Sequence, residues 1–247
     1  MTGTGELAAT LDAVVSAEFS AELGNGLPAI NSYLVSDPWA DELLRPALTG
    51  WLAEAGTAGW LAEGDRWPGG IASGPNPGAL LAALAGLAVG GTVWVVNQGS
   101  AELLHAAALL GIPVLNGAGT PGGVAGPVAL VHLRRPWSLP RLADVEALAR
   151  QVAPVPVLVD ETDLDRCRAS DSAAALIAAL DNLIVVRGLP RLGRLAEHGA
   201  AFCLSSAALT ARLQATVPPL FATPLALRIT RAVLGRLDLV VAFEPAG

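Results

Sequence analysis

The sequence predicts an α/β protein, with a mostly parallel sheet and helices on both faces. Short apolar runs at residues 155–159 and 183–186 have the length and composition of strands buried inside a sheet. A longer segment at residues 139–152 carries its apolar residues at helical spacing instead. Because segments of these two kinds alternate along the chain, we expect helices to cross the sheet between parallel strands.

Composition excludes several classes of function. The chain has 247 residues and is 53% hydrophobic, which suits a folded protein with a substantial core. Its formal net charge of -7 offers no basic surface for a nucleic acid or an anionic membrane. All 15 basic side chains are arginine, so the sequence contains no lysine. Cys167, Cys203 and the three histidines lack metal-ligand spacing, and we expect no bound metal and two reduced thiols.

The amino-terminal part of the chain predicts two helices. Residues 5–23 have helical spacing and end at a Gly-Asn-Gly turn, which indicates a helix or arm within residues 1–36. Asp37 and Pro38 begin a second helix, as its cap and its first helical residue. We expect residues 1–247 to form a single domain, in which 1–36 are the amino-terminal helix or arm and 37–247 are the main body. The first ten residues lack the order of a signal peptide, which favours a cytoplasmic protein.

One uncharged segment has nearly the length of a membrane span. Residues 78–96 carry no charged side chain. Gly90 and Gly91 interrupt the segment before a run rich in β-branched residues. A buried helix at 77–90 followed by a strand at 92–96 therefore fits better than a membrane helix, and we expect no membrane partner.

A glycine-rich stretch at residues 117–122 matches the dinucleotide-binding pattern G-x-G-x-x-G. That pattern requires a helix to open at its glycines, and Pro121 and the following glycines oppose one. A loop that closes over a deletion explains the stretch better. The remaining predicted elements are a strand at 128–133 and helices at 207–217 and 225–237.

Two segments of the sequence carry a resemblance to a known family. Residues 157–163 read V-L-V-D-E-T-D, and residues 182–191 read N-L-I-V-V-R-G-L-P-R. These segments resemble the centre of fold-type I pyridoxal-phosphate (PLP) aminotransferases, in the histidinol-phosphate aminotransferase branch. That family has a strand ending V-D-E-A-Y and, further along, N-L-I-V-L-R-T-F-S-K. The resemblance implies an abridged aminotransferase large domain, with the small carboxy-terminal domain missing or vestigial.

The same resemblance identifies departures from the family's chemistry. Arg191 stands where the family has the lysine that forms the Schiff base with PLP. Arg135 stands where an asparagine bonds the cofactor's 3-hydroxyl. A guanidinium stays protonated and makes no ordinary imine. Since the chain contains no lysine at all, we expect no cofactor, and no covalent attachment of PLP.

Three carboxylates are the candidate catalytic residues: Asp160, Glu161 and Asp163. Asp160 matches the family carboxylate that pairs with the protonated pyridine nitrogen, and the other two follow it closely. Such a group could bind a cation or hold a proton for acid–base work. A solvated cluster at the start of a helix is the alternative. Further acid–base candidates are the histidines His105, His132 and His198.

The candidate ligand pocket combines a turn and several arginines. Residues 97–102 resemble the family turn G-N-G-S-D-E, which precedes a helix whose first amides hold the cofactor phosphate. Arginines close together can hold a carboxylate or phosphate by bidentate contacts. The alternatives are an ordinary capped helix and an exposed arginine loop. The pocket candidates are Gln98, Gly99, Ser100, Arg135, Arg187 and Arg191.

These observations lead to two functional hypotheses. The first is a derived aminotransferase-fold protein, unable to form a PLP Schiff base and repurposed for small-molecule binding or cofactor-independent chemistry. Such a protein would act in amino-acid or natural-product metabolism. The alternative is a non-catalytic subunit that supports an active, lysine-containing PLP enzyme. Because the family active site lies at a dimer interface, we expect a homodimer or a heterodimer with a paralogue.

Overall fold

The computed structural model describes a seven-stranded sheet with helices on both faces. The described residues are 69–117, 127–135, 140–162, 171–188 and 200–216, with scattered positions at 9–10, 12–13, 16–17, 20, 226–227 and 229–230. The spatial order of the strands is β1-β7-β6-β5-β4-β2-β3. β7 is antiparallel to both of its neighbours, and the other paired strands are parallel. The predicted α/β class with a mostly parallel sheet is confirmed.

Strands and helices alternate along much of the chain. The strands are β1 Gly70–Gly74, β2 Thr92–Val95, β3 Val114–Asn116, β4 Val128–Arg134, β5 Val157–Asp160, β6 Leu183–Arg187 and β7 Ala201–Ser205. The helices are α1 Pro77–Leu84, α2 Ala101–Leu109, α3 Leu142–Val152 and α4 Ala207–Thr216. Two short 3-10 turns lie at Ala85–Ala88 and Ala173–Leu176.

Alternation of side chains along the strands divides the core between the two faces of the sheet. On one face, Val159 of β5 packs with Val145 and Ala149 of α3. On the other face, Leu158 packs in a cluster that includes Leu103 of α2. Burying a large apolar side chain contributes about 1.5–3 kcal/mol. The apolar clusters on both faces therefore stabilise the sheet.

Three strands were not predicted, namely β1, β3 and β7. β1 begins and ends with glycine, and a Cβ at Gly70 would lie 2.0 Å from Thr210 Oγ1 of α4. The close approach of α4 to β1 explains why glycine stands there. β3 has only three residues, too few for a pattern to show.

Several predictions fall wholly or partly outside the described residues. The scattered positions within 5–23 are helical, and so are those within 225–237. The predicted helix after Pro38, the loop at 118–126 and the division of the chain at residue 36 lie outside the described part. Within the described helices, none is long and apolar enough to cross a bilayer.

Candidate functional site

Polar side chains gather where the central parallel strands end, and they separate into two groups on opposite faces. Asp160 is the last residue of β5 and lies opposite Arg134 of β4 in the register of the two strands. Glu161 continues the ladder, since its amide donates to the carbonyl of Val186 at 2.9 Å. Consecutive residues of a strand point to opposite faces, so the two neighbouring carboxylates meet different partners.

The Asp160 network comprises Asp160, Ser100, His132 and Thr162. Ser100 Oγ donates to Asp160 Oδ2 at 2.7 Å, and it lies 2.8 Å from His132 Nε2. His132 Nε2 itself is 3.9 Å from Asp160 Oδ2. The other oxygen, Oδ1, accepts from the amide and the hydroxyl of Thr162 at 3.0 and 2.6 Å. Asp160, His132 and Ser100 are buried, and Thr162 is half-buried.

These contacts keep the Asp160 carboxylate ionised. Burial raises the pKa of Asp160. The hydrogen bonds involving His132, Thr162 and Ser100 together outweigh burial and lower the pKa to about 2. The carboxyl group therefore carries its negative charge at neutral pH while being shielded from solvent.

Ser100 also occupies the N-cap position of α2. Its side chain does not cap the helix, because the hydroxyl is directed to Asp160 instead. The first amides of a helix need acceptors, and together with the helix dipole they favour an anion. Glu102 adds a negative charge in this first turn, and it is exposed. The turn before α2 thus offers backbone donors close to the Asp160 network.

A side chain that the sequence analysis did not select connects this turn to β4. Asn97 Nδ2 donates to the carbonyl of Arg134 at 2.7 Å, and the Arg134 amide donates to Asn97 Oδ1 at 3.0 Å. The side-chain amide of Asn97 thereby pairs with the backbone of β4 as a neighbouring strand would. It holds the end of β2 beside the end of β4, where His132 lies.

The Glu161 network comprises Glu161, Arg135, Arg187 and Ser172, with the amide of Ala173. Glu161 Oε1 accepts from Arg135 Nη1 and from the Ala173 amide, the latter at 2.8 Å. Glu161 Oε2 accepts from Ser172 Oγ at 2.6 Å and from Arg187 Nη1 at 3.0 Å. The four side chains are buried. This arrangement ties the ends of β4, β5 and β6 to the segment that follows residue 170.

Arg135 makes two further contacts that fix its course. Its Nε donates to the carbonyl of Pro140 at 2.9 Å, and its Nη1 donates to the carbonyl of Asp171 at 3.1 Å. A guanidinium with these partners and the Glu161 carboxylate is held within the protein rather than directed to solvent.

The structure divides the predicted site residues. Asp160 and Glu161 do not form one acidic group, because the strand directs them to opposite faces. Asp163, the third catalytic candidate, lies outside the described residues. Of the pocket candidates, Ser100 belongs to the Asp160 network, Gly99 precedes it in the chain, and Gln98 is exposed. Arg135 and Arg187 belong to the Glu161 network instead, and Arg191 lies outside the described part.

Among the histidines, the structure selects His132. His105 is exposed on α2, and His198 lies outside the described residues. His132 beside Ser100 resembles a base beside a nucleophile, a pairing that the sequence pattern did not indicate. In a Ser-His-Asp triad, however, the acid accepts from the histidine's Nδ1. Here Asp160 accepts from Ser100, and His132 Nδ1 is buried without a partner among the described residues. The geometry is not that of a hydrolase triad.

Comparisons with known proteins relate the fold to PLP enzymes. No family model matches the sequence, and a search of curated proteins found no match. Among solved structures, histidinol-phosphate aminotransferase from Clostridium acetobutylicum matches with TM-score 0.62 and 12% identity, covering 85% of this chain and 64% of that one. The Sinorhizobium meliloti enzyme, in complex with pyridoxal-5'-phosphate, matches with TM-score 0.65 and 17% identity, covering 87% and 61%. A PLP-bound C-S lyase from Staphylococcus hominis matches with TM-score 0.54 and 15% identity, covering 78% and 57%.

These likenesses establish an aminotransferase-like large-domain fold. The chain spans about 64% of the length of the Clostridium enzyme and 61% of the Sinorhizobium enzyme. They also correct the expectation that no cofactor is involved, since two of these solved structures are described as PLP-bound. The expectation was wrong because it equated the loss of lysine with the loss of binding. Lysine supplies the covalent attachment, whereas charge pairing and a phosphate-binding helix end can act without it.

Proposed function

We propose that this chain is a derived aminotransferase-fold protein that binds a phosphorylated pyridine of the PLP class without covalent attachment. The observation that carries the proposal is the ionised Asp160 carboxylate beside the uncapped end of α2. When bound, such a group supplies an electron sink for reactions at an amine carbon. The chain's own residues bind this group, orient it and place the negative charge of Asp160 beside its protonated ring nitrogen.

Asp160 supports the pyridine end of the proposal. A carboxylate whose pKa is about 2 remains ionised at neutral pH and can stabilise a protonated ring nitrogen. Within the described residues, its hydrogen-bond partners are two hydroxyls and a backbone amide; the imidazole of His132 lies 3.9 Å away, and no arginine is among these partners. A carboxylate offers about four acceptor positions, so the existing contacts leave acceptor capacity on Oδ2.

The turn before α2 supports the phosphate end. Since the Ser100 hydroxyl bonds to Asp160, the backbone amides at the start of α2 lack a side-chain cap. The same residues correspond to the family turn whose amides hold the phosphate. A phosphate would bind at this helix end, and a ring nitrogen would contact Asp160. Ser100 adjoins both positions, because it is the N-cap residue of α2 and donates to Asp160.

The absence of lysine determines how the ligand is held. No side chain in this sequence has a primary amine, so an aldehyde cannot be attached through one. Binding would then depend on charge and hydrogen bonds, and pyridoxamine phosphate, which has no aldehyde, should bind as well as PLP does. That equivalence separates the proposal from an ordinary aminotransferase, in which a lysine captures the aldehyde.

Equilibrium dialysis with PLP and with pyridoxamine phosphate tests the proposal. We expect saturable binding of both, and Asp160→Asn should weaken it by about tenfold because a charge-assisted contact is lost. Asp181→Asn is the matched control, since Asp181 is an exposed aspartate in the turn before β6, and it should bind like the wild type. Mass spectrometry after borohydride reduction should detect no adduct beyond the α-amino group. Absence of saturable binding, or equal affinity of the two variants, would contradict the proposal.

The alternative role, a subunit that supports a lysine-containing enzyme, is favoured by three exposed apolar side chains. Val89 follows the 3-10 turn that packs against α2, and Leu109 and Leu110 lie at the end of that helix. Leu109 is 75% exposed, and apolar side chains exposed in this way are typical of surfaces that another chain covers. Copurification with an aminotransferase-fold paralogue, abolished by Leu109→Glu, would support this role. A monomer alone in the native host would oppose it.

A further inference from the structure

We propose that His132 acts through the Ser100 hydroxyl to orient the Asp160 carboxylate, which makes His132 a positioning residue of the candidate site. The identity of the ligand that Asp160 meets depends on the proposed function above. The hydrogen-bonded relay is a property of the chain alone and can be tested without any ligand.

The strands and α2 place His132, Ser100 and Asp160 so that the short contacts run from His132 to Ser100 and from Ser100 to Asp160. His132 lies opposite Leu158 in the register of β4 and β5, two positions before the end of β5. His132 and Asp160 share a face, but their side chains remain 3.9 Å apart. Ser100 lies between them at the start of α2, at 2.8 Å from His132 and 2.7 Å from Asp160.

The hydrogens in these two contacts can be assigned by counting. An ionised carboxylate cannot donate, so the hydrogen between Ser100 and Asp160 belongs to the serine. A hydroxyl has one hydrogen, and at its contact with His132 the serine must therefore accept. His132 Nε2 consequently carries a hydrogen. In the neutral ring, Nδ1 is then the bare acceptor, and it is buried without a partner among the described residues.

This unmet acceptor indicates which side of the ring determines its orientation. Buried polar groups are usually hydrogen-bonded, and a ring nitrogen without a partner does not fix the orientation of its ring. His132 places one nitrogen in a short contact and leaves the other without a partner. The contact toward Ser100 and Asp160 is therefore the one that positions the ring.

Several charged or titratable side chains lie near Asp160, and His132 is the one whose contact with Ser100 orients the carboxylate. On β4, the side chains that alternate to the same face are His132 and Arg134, and α2 contributes the exposed Glu102. Arg135 and Arg187 meet Glu161 on the opposite face. His132 is also first among the groups that lower the pKa of Asp160, and since 3.9 Å is too long for a direct hydrogen bond, its influence passes through Ser100.

The test is the titration of Asp160 by carboxyl ¹³C NMR, with the resonance assigned through Asp160→Asn. In the wild type the midpoint should be about 2. In His132→Leu we expect it to rise by about one pH unit or more, since Ser100 loses the donor that holds its hydroxyl toward the charged form of Asp160. His132→Gln retains an N–H near the position of Nε2 and should restore the low midpoint. His105→Leu changes an exposed histidine on α2 and should leave the midpoint unchanged.

A second measurement starts from the unmutated protein, and this part of it does not depend on the folding of any variant. The imidazole ¹⁵N spectrum of the unmutated protein should show His132 in the Nε2–H tautomer. Ser100→Ala, which removes only a hydroxyl, should shift the His132 signals and raise the Asp160 midpoint. A Nδ1–H tautomer, or an Asp160 midpoint that is the same in folded His132→Leu and wild type, would overturn the relay.

The two proposals can fail separately. If PLP does not bind the wild type, the proposed function fails, whereas the titration still decides the relay. If PLP binds wild type and His132→Leu equally and the Asp160 midpoint does not move, the relay fails while the proposed function stands. If both hold, the affinity of His132→Leu for PLP should fall by about tenfold, because the hydrogen bond from His132 to Ser100 is lost. The affinity of His132→Gln for PLP should not fall.

Discussion

Asp160 and Glu161 are adjacent in the chain, yet their surroundings give them opposite roles. Glu161 meets two buried arginines, a serine and a backbone amide, so its charge is neutralised within the protein. Asp160 meets hydroxyls, an amide and an imidazole, and it stays ionised without an arginine among these partners. The comparison shows that a buried carboxylate at a strand end is available as a ligand contact only where no arginine already balances its charge.

The largest expected effect is on the Glu161 side. Glu161→Gln keeps the shape of the side chain but leaves two arginines buried without their carboxylate. We expect it to reduce the free energy of unfolding by about 3–5 kcal/mol, the cost of breaking a buried ion pair. Urea denaturation measures this.

Glu146→Gln provides the matched control for that substitution. Glu146 pairs with Arg150 on the exposed surface of α3, at 2.7 Å. Pairs of this kind contribute about 0–1 kcal/mol, and the control should be nearly neutral. A similar small loss for both variants would remove the structural role assigned to Glu161.

The next effect concerns pH and belongs to the Asp160 side. The pKa of Asp160 is lowered from 3.8 to about 2, so folding favours its ionised form. Its contribution to stability is complete above the unfolded pKa and is lost as pH falls through about 2. The shift corresponds to roughly 2 kcal/mol.

Denaturation of wild type and Asp160→Asn at several pH values tests this expectation. The difference between their free energies of unfolding should shrink as pH falls from about 4 toward 2, the window between the unfolded and folded pKa values. A difference that stays constant over that range would show that Asp160 titrates normally, and the contrast with Glu161 would lose its electrostatic basis.

The smallest expected effect compares two serine hydroxyls that each donate to one of the carboxylates. Ser172→Ala removes a donor to Glu161 and should cost about 1.5 kcal/mol of stability, the low end of the range for a hydrogen bond to a charged group, because Glu161 keeps its other donors. It should not change PLP binding. Ser100→Ala removes the donor to Asp160 and should weaken PLP binding. Thermal unfolding and dialysis on both variants measure the two effects, and an exchange of the two phenotypes would reverse the assignment of the faces.

Much of the fold could be predicted from local patterns. The apolar runs of β4, β5 and β6 and the helical spacing of α3 follow from burial on a sheet, and the structure has these elements close to the predicted bounds. That Asp160 ends a buried strand at the edge of the sheet could be predicted from the apolar run before it. β1 could not, because Gly70 is explained by its close contact with α4, which the sequence does not display.

The site required knowledge that local patterns do not contain. The separation of Asp160 from Glu161 follows from strand alternation and could have been predicted. The contact of Ser100 with His132 could not, because it depends on β2 and β4 being neighbours although β3 lies between them in the chain. Likewise, Arg135 and Arg187 meet at Glu161 only because β4, β5 and β6 are adjacent in the sheet.

The central claim is that the Asp160 face, and not the Glu161 face, holds the ligand. A crystal structure of the protein soaked with PLP tests it most directly. We predict a phosphate at the first amides of α2 and a ring nitrogen about 2.7–2.9 Å from an Asp160 oxygen, the length of a charge-assisted hydrogen bond. Ligand bound beside Arg135 and Arg187 with the Asp160 face empty would contradict the account.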